Sequence, residues 1–338
     1  KARVAFTQKS FSVAGATARV LGGEATFDGG TQQDGGLRFN GQGVATAEAL
    51  RAAPELGTVA RLAASATGQT PYRLALGFVR GRSEFTLTSP LTGMALNLPA
   101  PLTKPADAAW PLRVETRIAP DGPLRDSLRV ELSDVKGPLQ TNLLSAHYQR
   151  DLSHDDGVPV VMRGAIGVLE SAPSLPERGV HAVLALPAVD GDAWEAALDR
   201  ARAARAPGDA AAAPAGVVAD EAGGYVPHVV ALRAQSIVSG GRRLNNLVLG
   251  VSQDGDGNWR GSIDAEQLGG YIEYRAGRGA SNPGRVHARL ARLALPPAEA
   301  SSVEKALAEA PEAVPALDIV IDNFELRGKK LGRIELEA

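Results

Sequence analysis

Acidic and amide side chains spaced two residues apart give this chain its strongest resemblance to a metal site. The run Asp254-Gly-Asp256-Gly-Asn258 matches the first three ligand positions of an EF-hand calcium loop. The match then fails, because Trp259 stands where the sharp turn needs glycine and Ala265 stands where the loop needs a bidentate glutamate. The sequence therefore predicts a glycine-rich hairpin turn here, and no metal site.

A second group of potential ligands is His154-Asp155-Asp156, with Asp151 nearby. No second histidine follows at helical spacing and the flanking residues are typical of a loop, so a solvated acidic turn is predicted. The five histidines are scattered along the chain, and neither a Gly-x-Ser-x-Gly elbow nor a P-loop occurs. These observations predict a protein that is not an enzyme and that uses no cofactor.

Composition narrows the class of protein further. The net charge is −2, from 36 basic and 38 acidic residues, which gives no sustained positive field for nucleic acid. Cysteine is absent, which excludes disulfides and thiolate chemistry, while 38 glycines and 22 prolines favour short strands and turns. The chain starts without Met or a signal peptide and stops inside a strand-like run, so we expect a segment of a longer protein.

Alternation of apolar and polar residues dominates the sequence and predicts a mainly β protein. Residues 73–80 and 84–89 are predicted to form two strands joined by the turn Gly81-Arg82-Ser83. Because most connections are hairpin-length, neighbouring strands are expected to pair antiparallel. Further strands are predicted at 94–98, 112–118, 128–132, 145–150, 160–169, 180–186, 229–238, 244–252, 259–264, 270–275, 285–295, 316–326 and 331–337.

Helices are predicted at three places. One begins near Asp192-Ala-Trp194-Glu195, where an aspartate three residues before a glutamate resembles a capping box. The others cover 297–310 and a short stretch at 46–53. The Ala/Gly/Pro-rich stretch 206–224 is predicted to be a flexible loop, which would divide the chain into 1–205 and 225–338.

One hairpin occurs twice in the sequence. Residues 237–249 match residues 324–336 at a constant offset, and each copy has a glycine-basic-basic turn at Gly241 or Gly328. A repeated hairpin predicts a sheet that is extended by adding similar units.

Three motifs carry a resemblance to a known family. The first is Ser89-Pro-Leu91-Thr-Gly93 leading into Leu98-Pro-Ala-Pro-Leu-Thr-Lys104. The second is Val189-Asp-Gly-Asp192-Ala-Trp194, and the third is the ending from Leu317 to Leu336. Together they resemble the YhdP-like branch of the AsmA-like proteins over residues 86–336.

This resemblance implies elongated, twisted antiparallel sheets that form an open groove, with a few short helices. It also implies a periplasmic segment of a parent chain anchored in the bacterial inner membrane. The implied function is phospholipid transport between inner and outer membrane, with acyl chains and other segments of the parent chain as partners. Strict alternation is compatible with this function, since a groove needs one apolar and one solvated face.

The residues expected to line such a groove are apolar positions of the alternating strands: Leu87, Leu91, Leu96, Leu98, Leu247, Leu249, Trp259, Ile334 and Leu336. The basic pairs at the repeated turns are expected to contact polar headgroups or a partner: Arg242, Arg243, Lys329 and Lys330. A structural β module with a closed core and no lipid stays open as the alternative, because alternation alone does not distinguish a dry core from a groove.

Overall fold

A computed structural model describes residues 2–8, 10–33, 35–53, 58–79, 81–120, 122–154, 158–203, 224–277, 284–295 and 316–337. Nineteen strands and three helices lie in these ranges, and strand residues outnumber helical ones by far more than two to one. The prediction of a mainly β protein is therefore confirmed. The described chain divides into two compact units, one of residues 2–181, 197–203 and 224–225, the other of residues 182–196 and 226–337.

The first unit is built from consecutive antiparallel strands. They are β1 (Arg3–Phe6), β2 (Phe11–Val20), β3 (Gly22–Thr31), β4 (Leu37–Thr46), β5 (Ala66–Val79), β6 (Arg82–Ser89), β7 (Met94–Leu96), β8 (Leu112–Ile118), β9 (Arg125–Lys136), β10 (Leu139–Asp151) and β11 (Val160–Val168). Each strand pairs with the next, except that β7 pairs with the start of β5 and β6 pairs directly with β8. Hairpin-length connections explain most of this order, as predicted, whereas the connection from β4 to β5 is longer.

Two short helices interrupt the first unit, α1 (Ala47–Arg51) and α2 (Thr58–Ala63). The predicted helix at 46–53 is confirmed by α1, whose N-cap is Thr46 with its hydroxyl accepting from the Ala49 N–H at 3.2 Å. This helix packs onto a small core made by Ala66 and Met94.

The second unit contains β13 (Val229–Ser239), β14 (Arg242–Gln253), β15 (Trp259–Asp264), β16 (Leu268–Arg275), β17 (Arg285–Leu295), β18 (Ala316–Leu326) and β19 (Lys329–Glu337). Pairing is antiparallel from β13 to β17 and again between β18 and β19. The pair β17–β18 is parallel, so the antiparallel prediction is wrong there. The reason is that residues 296–315 make a connection far longer than a hairpin loop. The helix predicted at 297–310 lies outside the described residues.

Strand β12 (Gly179–Asp190) leads into helix α3 (Gly191–Ala203), as the sequence predicted. The predicted cap is wrong by two residues: Asp190, not Asp192, accepts from the Ala193 N–H at 2.9 Å. The Asp192 carboxylate instead accepts from the Gly240 N–H at 2.7 Å, at the tip of the β13–β14 hairpin. Residues 206–223 of the predicted loop lie outside the described part, and the division at 206–224 stays a prediction.

The two repeated hairpins have equivalent two-residue turns. In the first, Ser239 pairs with Arg242 across Gly240 and Gly241, and in the second Leu326 pairs with Lys329. Both residues of each turn have positive φ, with 72° at Gly241 and 76° at Gly328. This is the arrangement of a type I′ turn, which glycine favours because it lacks a Cβ. The prediction that the two glycines occupy equivalent turns is confirmed.

Candidate functional site: an apolar face on each sheet

The register of the first unit aligns apolar residues on one face across eight strands. Directly paired residues in a sheet project to the same side, so a row can be followed from strand to strand. One such row runs through Phe27, Gly41, Leu74, Leu87, Val114, Val130, Ala146 and Ile166. Leu87 therefore lies in the middle of a continuous apolar face.

The second unit repeats this arrangement on seven strands. Two adjacent rows of apolar residues lie on one face of this unit. The first row contains Leu232, Leu249, Ile263, Gly270, Leu290, Ile321 and Ile334. The second row contains Val230, Val251, Gly261, Ile272, Ala288, Ile319 and Leu336. Trp259 lies on the same face, paired with Gln253 and Tyr274. Five predicted lining residues of this unit, Leu247, Leu249, Trp259, Ile334 and Leu336, thus share one face.

Burial along this face is uneven. Leu247 is only 4% exposed and forms a packed cluster with Ala234 and Ala265, whereas Leu336 is 46% exposed. Leu249 and Trp259 are half-buried. The face therefore combines dry packed positions with apolar side chains that solvent still reaches.

The opposite face of the second unit is charged. One row on this side runs through Arg260, Glu273, His287 and Asp318 to Glu337. The Asp318 carboxylate accepts from Arg289 Nη1 at 2.8 Å and lies 3.0 Å from His287 Nδ1. The hydrogen bond from Arg289, and then that from His287, lowers the pKa of Asp318. The sheet is thus amphipathic, with apolar and charged sides set by alternation alone.

Three predicted lining residues lie outside the strands that carry these rows. Leu91 is in the loop after β6 with φ of 51°, and its N–H donates to the Ser89 hydroxyl at 3.1 Å. Leu96 belongs to β7 and packs against the small core beside α1, and Leu98 follows the end of that strand. The sequence placed all three with Leu87 because it could not show that β7 pairs with the start of β5 rather than with β6.

Lys104, the last residue of the first motif, has a structural role in this region. Its side chain is buried, and Nζ donates to the carbonyl oxygens of Met94 at 2.8 Å and Pro105 at 3.1 Å. Burial lowers the pKa of this ammonium group, and the nearby Asp107 carboxylate opposes that shift. Lys104 thus ties the loop after β7 back onto β7.

A buried ion pair on the apolar face of the first unit was not predicted. Arg150 Nε donates to Asp126 Oδ1 at 2.8 Å, and Arg150 Nη1 donates to the Tyr225 hydroxyl at 3.0 Å. The Arg150 and Asp126 side chains are only 12% and 5% exposed. Tyr225 also packs edge-on against Tyr148, whose phenol pKa is raised to about 12, mainly by burial. No local sequence signal marks this pair, since the register of β9 and β10 brings it together.

The predicted basic pairs lie at equivalent positions, directly after the turns of the two repeated hairpins. Arg242 and Arg243 open β14, Lys329 and Lys330 open β19, and all four are exposed. Contact of these residues with headgroups or a partner stays a prediction.

The stretch that resembled a calcium loop is a hairpin turn between β14 and β15. Asp254 Oδ1 accepts from the N–H groups of Asp256 at 3.0 Å and Asn258 at 2.9 Å, so the carboxylate closes its own turn. Of His154-Asp155-Asp156, only His154 is described. Within the described part of the chain, no group of three or more His, Asp or Glu side chains is placed to hold a metal ion.

The fold and the site define a mainly β protein with an apolar sheet face in each unit, which a charged face opposes in the second unit. The chain belongs to the YhdP family, because the family model described as YhdP protein matches residues 1–338. No curated protein and no solved structure matches the chain. Among the helices that the structure describes, none is long and apolar enough to span a membrane.

Proposed function

We propose that the apolar faces of these sheets hold the acyl chains of phospholipids during transport between the inner and outer membrane. The observation that carries this proposal is the continuous apolar row across seven strands of the second unit, opposed by charged residues. An acyl chain gains about 0.8 kcal/mol for each CH₂ removed from water, so a continuous strip of leucine, isoleucine and valine favours it along its length.

The setting that we propose follows from family membership. In this proposal the chain acts in the periplasm as a segment of a parent protein anchored in the inner membrane, and it continues its sheet through other segments of that protein. It performs no catalysis, takes no cofactor and binds no nucleic acid. Its activity depends on the shape and polarity of the sheet faces.

The alternative is a structural β module whose apolar faces are packed shut, and the near-complete burial of Leu247 and Ala234 is the observation that favours it. Native mass spectrometry of the purified chain distinguishes the two functions. We expect co-purified phospholipid, released when the protein is exchanged into a detergent that competes for the apolar face. Protein that is free of lipid after mild purification, and that takes up none from vesicles, would favour the structural module.

A further inference from the structure

A cleft on the polar face of the first unit brings together basic side chains from four strands. Arg117 of β8, Arg125 and Arg129 of β9, His147 of β10 and Arg163 of β11 line a cleft of about 460 Å³. This face is opposite to the one that carries the row with Leu87. The pair Arg129–His147 is next to the pair Val130–Ala146 of that row, and successive residues of a strand project to opposite faces. The cleft is therefore separate from the proposed lipid face.

Two of these arginines lie beside carboxylates: Arg117 Nη1 lies 3.6 Å from Glu84 Oε2, and Arg125 pairs with Asp151 across the strands. Asp126 is the one acidic residue among its described lining, and its carboxylate pairs with Arg150. Glu115, which pairs with Arg129 across the strands, accepts from Arg113 Nε at 2.9 Å and contacts Arg117 Nε at 2.7 Å. Glu115 and Glu84 thus engage Arg117, whereas Arg129 and Arg163 form no ion pair with a carboxylate of the described residues and are the two positive charges that an anion can use.

Neutral acceptors hold one of these guanidinium groups in place. Arg163 Nε donates to Gln149 Oε1 at 2.7 Å, and Arg163 Nη1 donates to the Pro176 carbonyl at 3.4 Å. These bonds order the guanidinium without neutralising it, which leaves its charge available to an anion.

The imidazole of His147 lies on β10, between the strands that carry these arginines, and their charges add to the effect of its burial. The pKa of His147 is lowered, first by burial and then by the charges of Arg129 and Arg163. Several cations crowded into one concave site repel each other, and an oxyanion between them would relieve that repulsion.

We propose that this cleft binds a phosphate group, held by Arg129 and Arg163 through charge-assisted hydrogen bonds. Guanidinium groups fit the geometry of phosphate oxygens. Arg129 on β9 and Arg163 on β11 flank β10, so they can approach one phosphate from two sides. The site does not depend on the proposed acyl-chain binding, because it lies on the opposite face and recognises a phosphate group rather than an acyl chain.

Titration with sodium pyrophosphate tests the site without any lipid. We expect saturable binding by calorimetry and a rise in the pKa of His147 followed by NMR, against sodium chloride of equal ionic strength. Arg129→Gln should weaken binding by about tenfold or more, the effect typical of one lost charge-assisted hydrogen bond. Arg73→Gln makes the same charge change outside the cleft on the same face and should leave affinity unchanged.

One further variant and one further measurement keep the test independent of folding. Arg129→Lys retains the charge and should bind at an intermediate affinity, and circular dichroism shows whether each variant keeps its strands. Equal binding by wild type and Arg129→Gln, or pyrophosphate binding no stronger than that of chloride, would overturn the proposal.

Vesicles distinguish the source of the phosphate. Arg129-dependent binding to phosphatidylglycerol vesicles, but not to phosphatidylcholine vesicles, would identify an anionic lipid headgroup. Pyrophosphate binding without vesicle binding would identify a soluble phosphate compound. Absence of both would refute the site, while leaving the acyl-chain proposal untouched.

Discussion

Replacing Leu249 by aspartate distinguishes an open apolar face from a closed core. Leu249 lies between Leu232 and Ile263 on the apolar face, and its side chain is half-buried. Complete burial of a leucine stabilises a fold by about 1.5–3 kcal/mol, so a half-buried one contributes roughly 1 kcal/mol. Because the new carboxylate can still reach water, Leu249→Asp should lower the free energy of unfolding by little more than that amount.

Leu247 provides the matched buried position two residues away. With 4% exposure, its replacement by aspartate would place a carboxylate without water in the packed cluster. Loss of the leucine packing alone costs about 2–5 kcal/mol, and the buried charge adds to it. Val248→Asp, at a residue that is 52% exposed on the opposite face, should be nearly neutral.

Urea unfolding of the three variants, followed by circular dichroism, measures these differences, and lipid content is measured in parallel. We expect Leu249→Asp to stay folded and to lose bound phospholipid, whereas Val248→Asp keeps both fold and lipid. If Leu249→Asp unfolds the chain as severely as Leu247→Asp does, the face at Leu249 is closed and the reasoning is refuted.

Three further predictions concern stability, and urea unfolding tests each. Arg150→Ala should cost about 3–5 kcal/mol because it leaves the Asp126 carboxylate buried and unpaired. Arg333 is exposed, so Arg333→Ala should change stability by less than about 1 kcal/mol. Similar losses in the two variants would contradict the burial of the Arg150–Asp126 pair. The pKa of Asp318 is lowered in the folded state, so its carboxylate stabilises the fold above the ordinary carboxyl pKa of 3.8, and this stabilisation is lost as pH falls through the folded-state pKa. Asp318→Asn should therefore make the free energy of unfolding fall less steeply with decreasing pH. An unchanged acid dependence would count against this network. Gly328→Val should cost about 1–2 kcal/mol because φ is 76°, while Gly328→Asn should be close to neutral, and equal effects would argue against the type I′ turn.

Alternation was enough to locate most strands of the second unit. The predictions at 259–264, 285–295 and 316–326 agree with the bounds of β15, β17 and β18. Burial alternates strictly along β15, so period and burial coincide there. In β17 and β18 the alternation is interrupted, and both strands take part in pairings with a register shift. The repeated turns could also be predicted, because positive φ at both central positions strongly favours glycine.

Strands β2–β4 were not resolved from the sequence, because glycines stand at positions where an apolar side chain would be expected. At Gly41 the space is filled from the neighbouring strand: an added Cβ would lie 2.7 Å from the Phe27 ring. In the sequence such a glycine interrupts the alternation of apolar and polar residues, although in the structure the side chain of its cross-strand partner fills the apolar position.

The groups that depend on register were beyond sequence reasoning. The pairing of Arg150 with Asp126 joins residues 24 apart in the chain, and the basic cleft needs the registers of four strands. Alternation predicts which side chains share a face, but it does not predict which residues of two strands lie opposite each other. The parallel pair β17–β18 escaped prediction for a related reason, since the long connection leaves strand direction open.

Site-specific photo-crosslinking at Leu249 and Val248 in the parent protein tests whether acyl chains bind along the apolar face. The two residues are neighbours on β14 that project to opposite faces, and Val248 is 52% exposed, so non-specific labelling would favour Val248. We expect phospholipid adducts at Leu249 and few or none at Val248. Adducts at Val248 that equal or exceed those at Leu249 would contradict acyl-chain binding along the apolar face.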